Sequence, residues 1–521
     1  MRETNSQAEV IGLLSDPATH GAGPVERIET HASIVFLAGT RAFKLKRAVR
    51  YDYLDFSTPD LRHRFCDAEL RVNGRTAAGL YTRVVPIVRT AAGGLALGGP
   101  GTPVDWVVEM RRFDQAALFD RMAAEGRLDT GHVVALAEEI ASFHQSCAVR
   151  TDCGGKAAMT RVIDGNAAGF RQFGHDTFDA AAADFAIAHA RACLRQCGPL
   201  LDRRRTDGYV RECHGDLHLG NVVLFNGRPT LFDAIEFNDD ISCIDVMYDA
   251  AFLLMDLWHR GLPALANAAL NAYVRETHDL DGLAALPLFL ACRTAIRAKT
   301  TATSASLQPA SEDRRLSQES ARQYLDLAVR LLQQKQTPAI VAVGGLSGSG
   351  KTTLARALAP SIGPAPGAVV LRSDEIRKRL WGVSPLTKVG PAGYTPEMSA
   401  RVYETLAADA AAVARAGHVA VVDAVFARAE DRIAIERAAG GAGVRFAAVW
   451  LQAPQATLIE RVSHRTPDAS DADADVVRMQ CAQWAEDVRW PRLSAAADPP
   501  AVEALARASL RAQMMALDAA A

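Results

Sequence analysis

The run Ala339-Ile340-Val341-Ala342-Val343, followed at once by Gly345-Leu346-Ser347-Gly348-Ser349-Gly350-Lys351-Thr352, limits the fold of this chain more than any other stretch. An unbroken apolar run of this length predicts a strand buried on both faces, as in a parallel sheet flanked by helices. Gly345, Gly348 and Gly350 let backbone N–H groups approach phosphate oxygens, and the helix that follows offers its positive end. Lys351 adds a mobile positive charge and Thr352 a hydroxyl for Mg²⁺, with Ser347, Ser349 and Thr353 completing the cradle. ATP and Mg²⁺ are the expected ligands.

Two more strand-like runs end in acids. Residues 368–371 lead into Arg372-Ser373-Asp374-Glu375-Ile376-Arg377, and residues 418–422 end in Asp423. Open α/β sheets bind ligands at the carboxyl ends of their strands. Asp374 is expected to accept a proton from an acceptor hydroxyl, and Arg377 to grip a substrate phosphate or other anion. Asp423 is expected to organise Mg²⁺, although capping of the next helix would also explain either acid. A fourth strand at 446–451 precedes a helix with Arg461 and Arg465, four apart and so on one face, as a lid closing onto transferring phosphates requires. The Asp- and Ala-rich tail from 468 predicts a loop and terminal helices.

The first two thirds of the chain centre on Cys213-His214-Gly215-Asp216-Leu217-His218-Leu219-Gly220-Asn221. An Asp five residues before an Asn supplies a carboxylate to orient a hydroxyl and an amide oxygen to hold Mg²⁺. Asp233, at the end of a short apolar strand, is the expected second metal ligand. Upstream, residues 33–37 and 42–46 predict a hairpin, with Phe43 and Leu45 on one face and Lys44 and Lys46 on the other. Lys46, with Lys44 as the alternative, is expected at the ATP phosphates, held by Glu69 on a helix over 59–78. The strand-like run 106–113 is expected to lead to a hinge whose backbone near Glu109 to Arg111 binds adenine. Residues 115–205 and 264–335 read as helical; Asp245 and Asp249 read as carboxylates bracing the catalytic loop, His144 as a packed histidine, and Arg293, Arg297 and Lys299 as a solvated face.

A chain of 521 residues exceeds one ordinary core. Hydrophobic content of 49% with 23% charged residues is a soluble globular composition, and a net charge of -2 gives no global reason to expect nucleic acid. Nine cysteines without a Cys-x-x-Cys pair indicate neither zinc nor a disulfide framework. No apolar run is long enough for a signal core or a membrane span, so a cytoplasmic location without a membrane partner is expected.

The loop 214–221 with Phe232-Asp233 resembles the aminoglycoside phosphotransferase and choline-kinase branch of the protein-kinase-like fold. This resemblance covers about residues 28 to 300 and implies Asp216 as base, Asn221 and Asp233 as Mg²⁺ ligands, and Lys46 with Glu69 at the ATP phosphates. Residues 338 to 490 resemble the P-loop kinases that include polynucleotide 5'-hydroxyl kinases, gluconate kinase and zeta toxins. There Asp374, Arg377, Arg461 and Arg465 match the polynucleotide-kinase pattern. The order of the halves resembles bacterial bifunctional aminoglycoside phosphotransferase-like/ATP-binding proteins.

The expected fold class is therefore α/β and α+β multidomain. A bilobal protein-kinase-like domain over 1–336 is followed by a P-loop NTPase parallel-sheet domain over 337–521. The leading functional reading is two phosphoryl transfers from ATP, the first to a small-molecule hydroxyl and the second to a small-molecule or nucleic-acid acceptor. The alternatives are a nucleotide-sensing regulator and a nucleic-acid 5'-hydroxyl kinase repair module; no oligomeric state follows.

Overall fold

A computed structural model of the chain describes residues 6–21, 23–51, 53–174, 176–335, 337–464, 468–483 and 488–520. It divides into two compact units: Met1–Arg260 with Leu288–Val329, and Gly261–Pro287 with Arg330–Ala521. The segment Gly261–Pro287, well before the expected boundary at 336, groups with the second unit.

In the first unit a six-stranded sheet runs in the order Val25–Glu29, Ser33–Ala38, Arg41–Lys46, Thr102–Arg111, Tyr81–Arg89, Leu95–Leu97. The predicted hairpin is its second and third strands, paired antiparallel with Phe36 opposite Phe43 and Val35 opposite Lys44. Period-two alternation sends Phe43 and Leu45 into an apolar layer with Ile34, Phe36 and Val107, closed by Val10 and Leu14 of the helix Ser6–Ser15. Ala42 faces the other way, into a layer with Cys66, Leu80, Val108 and Met110. Burying each such large side chain stabilises the fold by roughly 1.5–3 kcal/mol.

Lys44 and Lys46 share that second face and meet the helix Pro59–Asn73. Thr58 caps this helix by accepting the Leu61 N–H, and Pro59 fits its first turn. It stops at Asn73, ahead of Gly74 and short of the expected 78.

The rest of the first unit is mostly helical, with long helices at Thr130–Ser146, Gly155–Phe173, Ala180–Thr206, Val246–His259, Leu286–Leu307 and Glu312–Gln333. Set among them, a small hairpin, Val222–Phe225 with Arg228–Leu231, follows the loop from His214 to Asn221 and leads to Asp233. The nine cysteines are free thiols, and among the described residues no helix is long and apolar enough to cross a membrane.

The second unit holds a five-stranded sheet in the order Val369–Arg372, Val419–Asp423, Ala339–Gly345, Arg445–Gln452, Arg492–Ser494, every pair parallel. Val341, Val343, Val421 and Val449 are buried on one face against Leu354 and Leu358 of the helix Lys351–Leu358. The tail contributes a strand that sequence reading missed, Arg492–Ser494, too short for a periodic signal, before the helix Pro499–Ala520.

Candidate active sites

In the first unit the loop that carries Asp216 and Asn221 leaves the strand Val210–Glu212 and turns at Gly215, φ 84°. A Cβ there would lie 3.0 Å from the Ile241 carbonyl, so the residue before Asp216 is held to glycine. Asp249 accepts the N–H groups of His214 at 3.0 Å and Gly215 at 2.9 Å, while His144 Nε2 lies 3.1 Å from it. It braces the loop as the sequence implies, and His144 is the packed histidine expected there. Asp245 instead receives both prongs of buried Arg204, each at 2.8 Å, and caps the next helix through the Met247 N–H. Asp256, two turns beyond Asp249 on the same helix and overlooked in the sequence, accepts the Leu219 N–H at 3.0 Å.

His144, Cys213 and Asp249 each bring one donor atom within 4.8 Å of the others. Asp249 is committed to the loop, however, and burial pushes the Cys213 thiol well above its ordinary range. The cluster is a structural one.

Asn221 Nδ2 donates to the Asp216 carboxylate at 3.0 Å and to its backbone carbonyl at 2.9 Å, leaving the amide oxygen for another partner. Burial works to raise the Asp216 carboxyl, but His218 at 3.4 Å, Arg297 and His214 outweigh it and hold the group well below the usual carboxylate range. Asp233 adopts φ 61°, uncommon for a non-glycine residue. Its N–H donates to the Tyr81 hydroxyl at 3.1 Å, and the Ala234 N–H to Asn73 Oδ1 at 2.8 Å, which fix that conformation.

Lys44 and Lys46 both reach Glu69, at 2.7 Å to different oxygens. Lys44 also pairs with Asp233, and Lys46 with Glu236, which the sequence reading passed over. Lys46 is 1% exposed, over the Phe56 ring, and Glu69 is fully buried. Burial opposes the charge of Lys46, but Glu236 and Glu69 more than restore it. Of the two lysines, Lys44 alone touches a candidate metal ligand.

Glu109 lies in a strand paired on both sides, opposite Phe43 and Arg83, and the Arg111 and Arg112 N–H groups are donated to Leu80 and Thr40. Those donors are not an open edge for adenine; the cleft is lined from Met110 onward. Nor are Arg293, Arg297 and Lys299 a solvated face. Arg293 is buried and donates to the carbonyls of Tyr248 and Gly215, each at 3.1 Å. Arg297 lines the same cleft of about 1160 Å³ as Lys44, Asp216 and Asp233.

In the second unit the loop after the strand Ala339–Gly345 has positive φ at Gly345, Gly348 and Gly350. At Gly348 a Cβ would sit 2.5 Å from the Leu458 carbonyl, so only glycine fits. Thr352 Oγ1 donates to Asp423 at 2.6 Å, and Lys351 Nζ to the Leu346 carbonyl at 3.1 Å. Asp374, Arg377, Asp423 and the loop line one cleft of about 860 Å³. Burial raises the Asp374 carboxyl, against the pull of Arg372. Arg377 is 6% exposed, donates to Gly393 O at 2.6 Å and stacks on Tyr394. Its Nε has no partner among the described residues.

The lid expectation is corrected for Arg461. The helix Gln455–Ser463 turns it to the Ala495 carbonyl at 2.8 Å, and it does not line the cleft. Arg465 lies outside the described residues. Instead the cleft is bordered by Asp468, Asp471 and Asp473, and Gln480 accepts the Ser347 N–H at 2.9 Å.

Arg372 joins these parts. It makes two bonds to Asp468, at 2.9 and 2.7 Å, one to Glu375 at 2.9 Å, and contacts Asp423 and Thr352 at 3.3 Å each. Despite burial, this contact holds the Asp468 carboxyl down at about 2. In the sequence Arg372 is only a polar residue at a strand end.

Residues 57–286 match the model of the family described as phosphotransferase enzyme family, and residues 340–488 that described as AAA domain. Uncharacterised proteins of Mycobacterium tuberculosis and Mycobacterium bovis are 28% identical over 479 residues, 88% of this chain and 90% of theirs. An adenylyl-sulfate kinase of Myxococcus xanthus is 32% identical over 122 residues, 23% of this chain and 62% of that protein. Among solved structures, a choline/ethanolamine kinase family protein from Mesorhizobium loti covers 63% of this chain and 95% of its own at 16% identity, TM-score 0.40. A gluconokinase from Sinorhizobium meliloti covers 36% and 99% at 20% identity, TM-score 0.27. The chain thus joins a domain that matches the phosphotransferase enzyme family to one that matches an AAA domain and carries the glycine-rich phosphate loop, and it is an ATP-dependent kinase.

Proposed function

We propose that each unit transfers the γ-phosphoryl group of ATP to a hydroxyl group, the first on a small molecule and the second on a separate acceptor. The observation that carries the reading is the pairing of Asp216 with Asn221 and of Lys44 with Asp233 in one cleft. Asp216, ionised at neutral pH, takes the hydroxyl proton; Lys44, rather than Lys46, meets the nucleotide phosphates, because Lys46 is enclosed by Glu69 and Glu236. Asn221 and Asp233 offer hard oxygen donors, Asp233 being 43% exposed, and suit Mg²⁺. Bound there, the ion would neutralise phosphate charge.

In the second unit, Lys351 and the loop N–H groups hold phosphates, Thr352 and Asp423 supply the oxygens for Mg²⁺, and Asp374 is the base beside Arg377. Ser349 Oγ, buried and without a partner among the described residues, fits a phosphate cradle. The acid-rich border of this cleft disfavours a polyanionic nucleic acid as acceptor. One observation favours a regulatory reading of this site: Gln480 takes the Ser347 N–H, and Arg372 reaches both Thr352 and Asp423, so loading with Mg²⁺ and nucleotide requires those contacts to yield.

The test is transfer of labelled γ-phosphate into a metabolite extract and, separately, into 5'-hydroxyl oligonucleotides, comparing wild type with Asp216→Asn and Lys351→Ala. Two products, each lost in one variant, are expected, with Asp216→Asn costing about 10²–10⁴-fold. One product lost in both variants, or ATP binding without any labelled acceptor, would replace this reading with the regulatory one.

A further inference from the structure

We propose that the first site takes an acceptor carrying a carboxylate or phosphate group near the hydroxyl that is phosphorylated, and that Arg297 binds that anionic group. The proposal rests on the phosphotransfer reading of this site and names its substrate class.

Arg297 and Arg293 lie one turn apart on the helix Leu286–Leu307 but have different tasks. Arg293 is buried, donates to the carbonyls of Gly215 and Tyr248, lies 3.6 Å from the Asp249 carboxylate and packs over the Tyr248 ring at 4.0 Å. Arg297 reaches the cleft wall, and among the described residues no carboxylate forms an ion pair with it. Its guanidinium lies 5.8 Å from the centre of the Tyr324 ring. The same helix lines the cleft with Thr300, Thr301 and Ser304, so a guanidinium stands beside hydroxyl donors and acceptors on one face.

The charges nearby favour an anion over a cation. Glu29 is engaged by Arg27 at 2.6 Å and Arg47 at 3.2 Å. Asp256 is 3% exposed and bound to Arg260 and the Leu219 N–H. Asp233 and Glu236 are held by Lys44 and Lys46. Apart from Asp216 itself, no carboxylate among the described residues lining the cleft stands ready to replace the hydration of an ammonium group, whereas a guanidinium binds carboxylate or phosphate through two parallel N–H bonds. Lys44 sits with Asp233 where nucleotide phosphates belong, and Arg297 lines the cleft together with Asp216, where the acceptor hydroxyl belongs.

In the transfer, the acceptor hydroxyl oxygen bonds to the γ-phosphorus as the bond from that phosphorus to the β,γ-bridging oxygen breaks. ADP leaves, and the hydroxyl proton passes to the Asp216 carboxylate and then to solvent.

The experiment uses the full chain with Lys351→Ala, so that only the first site transfers. A metabolite extract is separated by ion exchange into anionic, neutral and cationic pools, and each is incubated with labelled ATP and Mg²⁺. Label should appear in the anionic pool and vanish with Asp216→Asn. With the purified acceptor, Arg297→Gln should raise its KM at least tenfold with ATP KM changed less than twofold, and Arg297→Lys should recover part of the loss. Label confined to the neutral or cationic pool, or an Arg297→Gln effect on ATP KM instead of acceptor KM, would overturn the proposal while leaving phosphotransfer in place. No label in any pool would overturn the phosphotransfer reading and this proposal with it.

Discussion

Asn271 Oδ1 accepts the backbone N–H of Val370 at 2.6 Å, and Asn271 Nδ2 donates to the neighbouring Ala368 carbonyl at 3.1 Å. Val370 lies on the outer strand of the second unit's sheet, Val369–Arg372, whose far side has no strand neighbour among the described residues. One side-chain amide therefore supplies what a further strand would give, and Asn267, 3% exposed, adds a bond of 3.0 Å to the same Ala368 carbonyl. This strand ends at Arg372 and carries the chain to Asp374.

Replacing Asn271 with Ala leaves the Val370 N–H without its partner, at a cost of about 1–3 kcal/mol. Hydrogen exchange followed by mass spectrometry should show residues 368–372 losing protection while residues 339–345 keep theirs. Unchanged protection at Val370 would mean that the strand edge does not depend on the helix Pro263–Thr277. A piece beginning at 337 lacks both asparagines and should show the same loss more strongly.

Lys44 and Lys46 separate by consequence. Lys46→Met leaves Glu236 buried without its cation and Glu69 with Lys44 alone, which should destabilise the first unit by about 3–5 kcal/mol. Lys44→Met leaves Glu69 paired with Lys46, so its thermal midpoint should move less, while kcat/KM for ATP falls about 10²-fold. Melting curves read beside steady-state kinetics decide the matter; the reverse pattern would return the phosphate role to Lys46.

The parts of this molecule legible in the sequence are those where neighbours in the chain are also neighbours in space. The phosphate loop, the loop from His214 to Asn221 and the hairpin that turns both lysines to one face are each encoded within about ten residues, through glycine placement and period-two alternation. Glu69 was reachable because a lysine on a strand needs a carboxylate on the next helix. Arg372 was not, since Asp423 and Asp468 join it from 51 and 96 residues away. Nothing in the polar pattern of Asn267 and Asn271 distinguishes a sheet-edge partner from a solvated helix face. Arg461 misled for a related reason: helical spacing says which residues share a face, not what that face meets.

Arg372→Met should remove second-site transfer without affecting the first product. The guanidinium is 3% exposed between Asp423, Glu375 and Asp468, so its loss strands three carboxylates and should cost about 3–5 kcal/mol. Arg372→Lys should not restore function, because an ammonium cannot make the two-pronged contact with Asp468. Activity and urea unfolding of the two variants form the test. An Arg372→Met chain with increased second-site activity would identify the guanidinium as a plug over the Mg²⁺ oxygens.

Acidification should silence the two sites in order, the second before the first. A general base works only when ionised, so each reaction loses rate as pH falls through the pKa of its base in the free enzyme. Burial raises Asp374 above its ordinary value, with Asp423 adding to the shift and Arg372 opposing it. Asp216 lies on the other side, because His218, Arg297 and His214 outweigh its burial. The acid limb of kcat/KM for the Asp374 reaction, measured in an Asp216→Asn background, should therefore fall at higher pH than that for the Asp216 reaction in a Lys351→Ala background. Arg297→Gln removes one of the charges that hold Asp216 down, and should move the first limb toward higher pH while leaving the second where it was. Coincident limbs, or a second limb at lower pH than the first, would remove Asp374 or Asp216 from the role of base, whichever variant fails to shift its own profile.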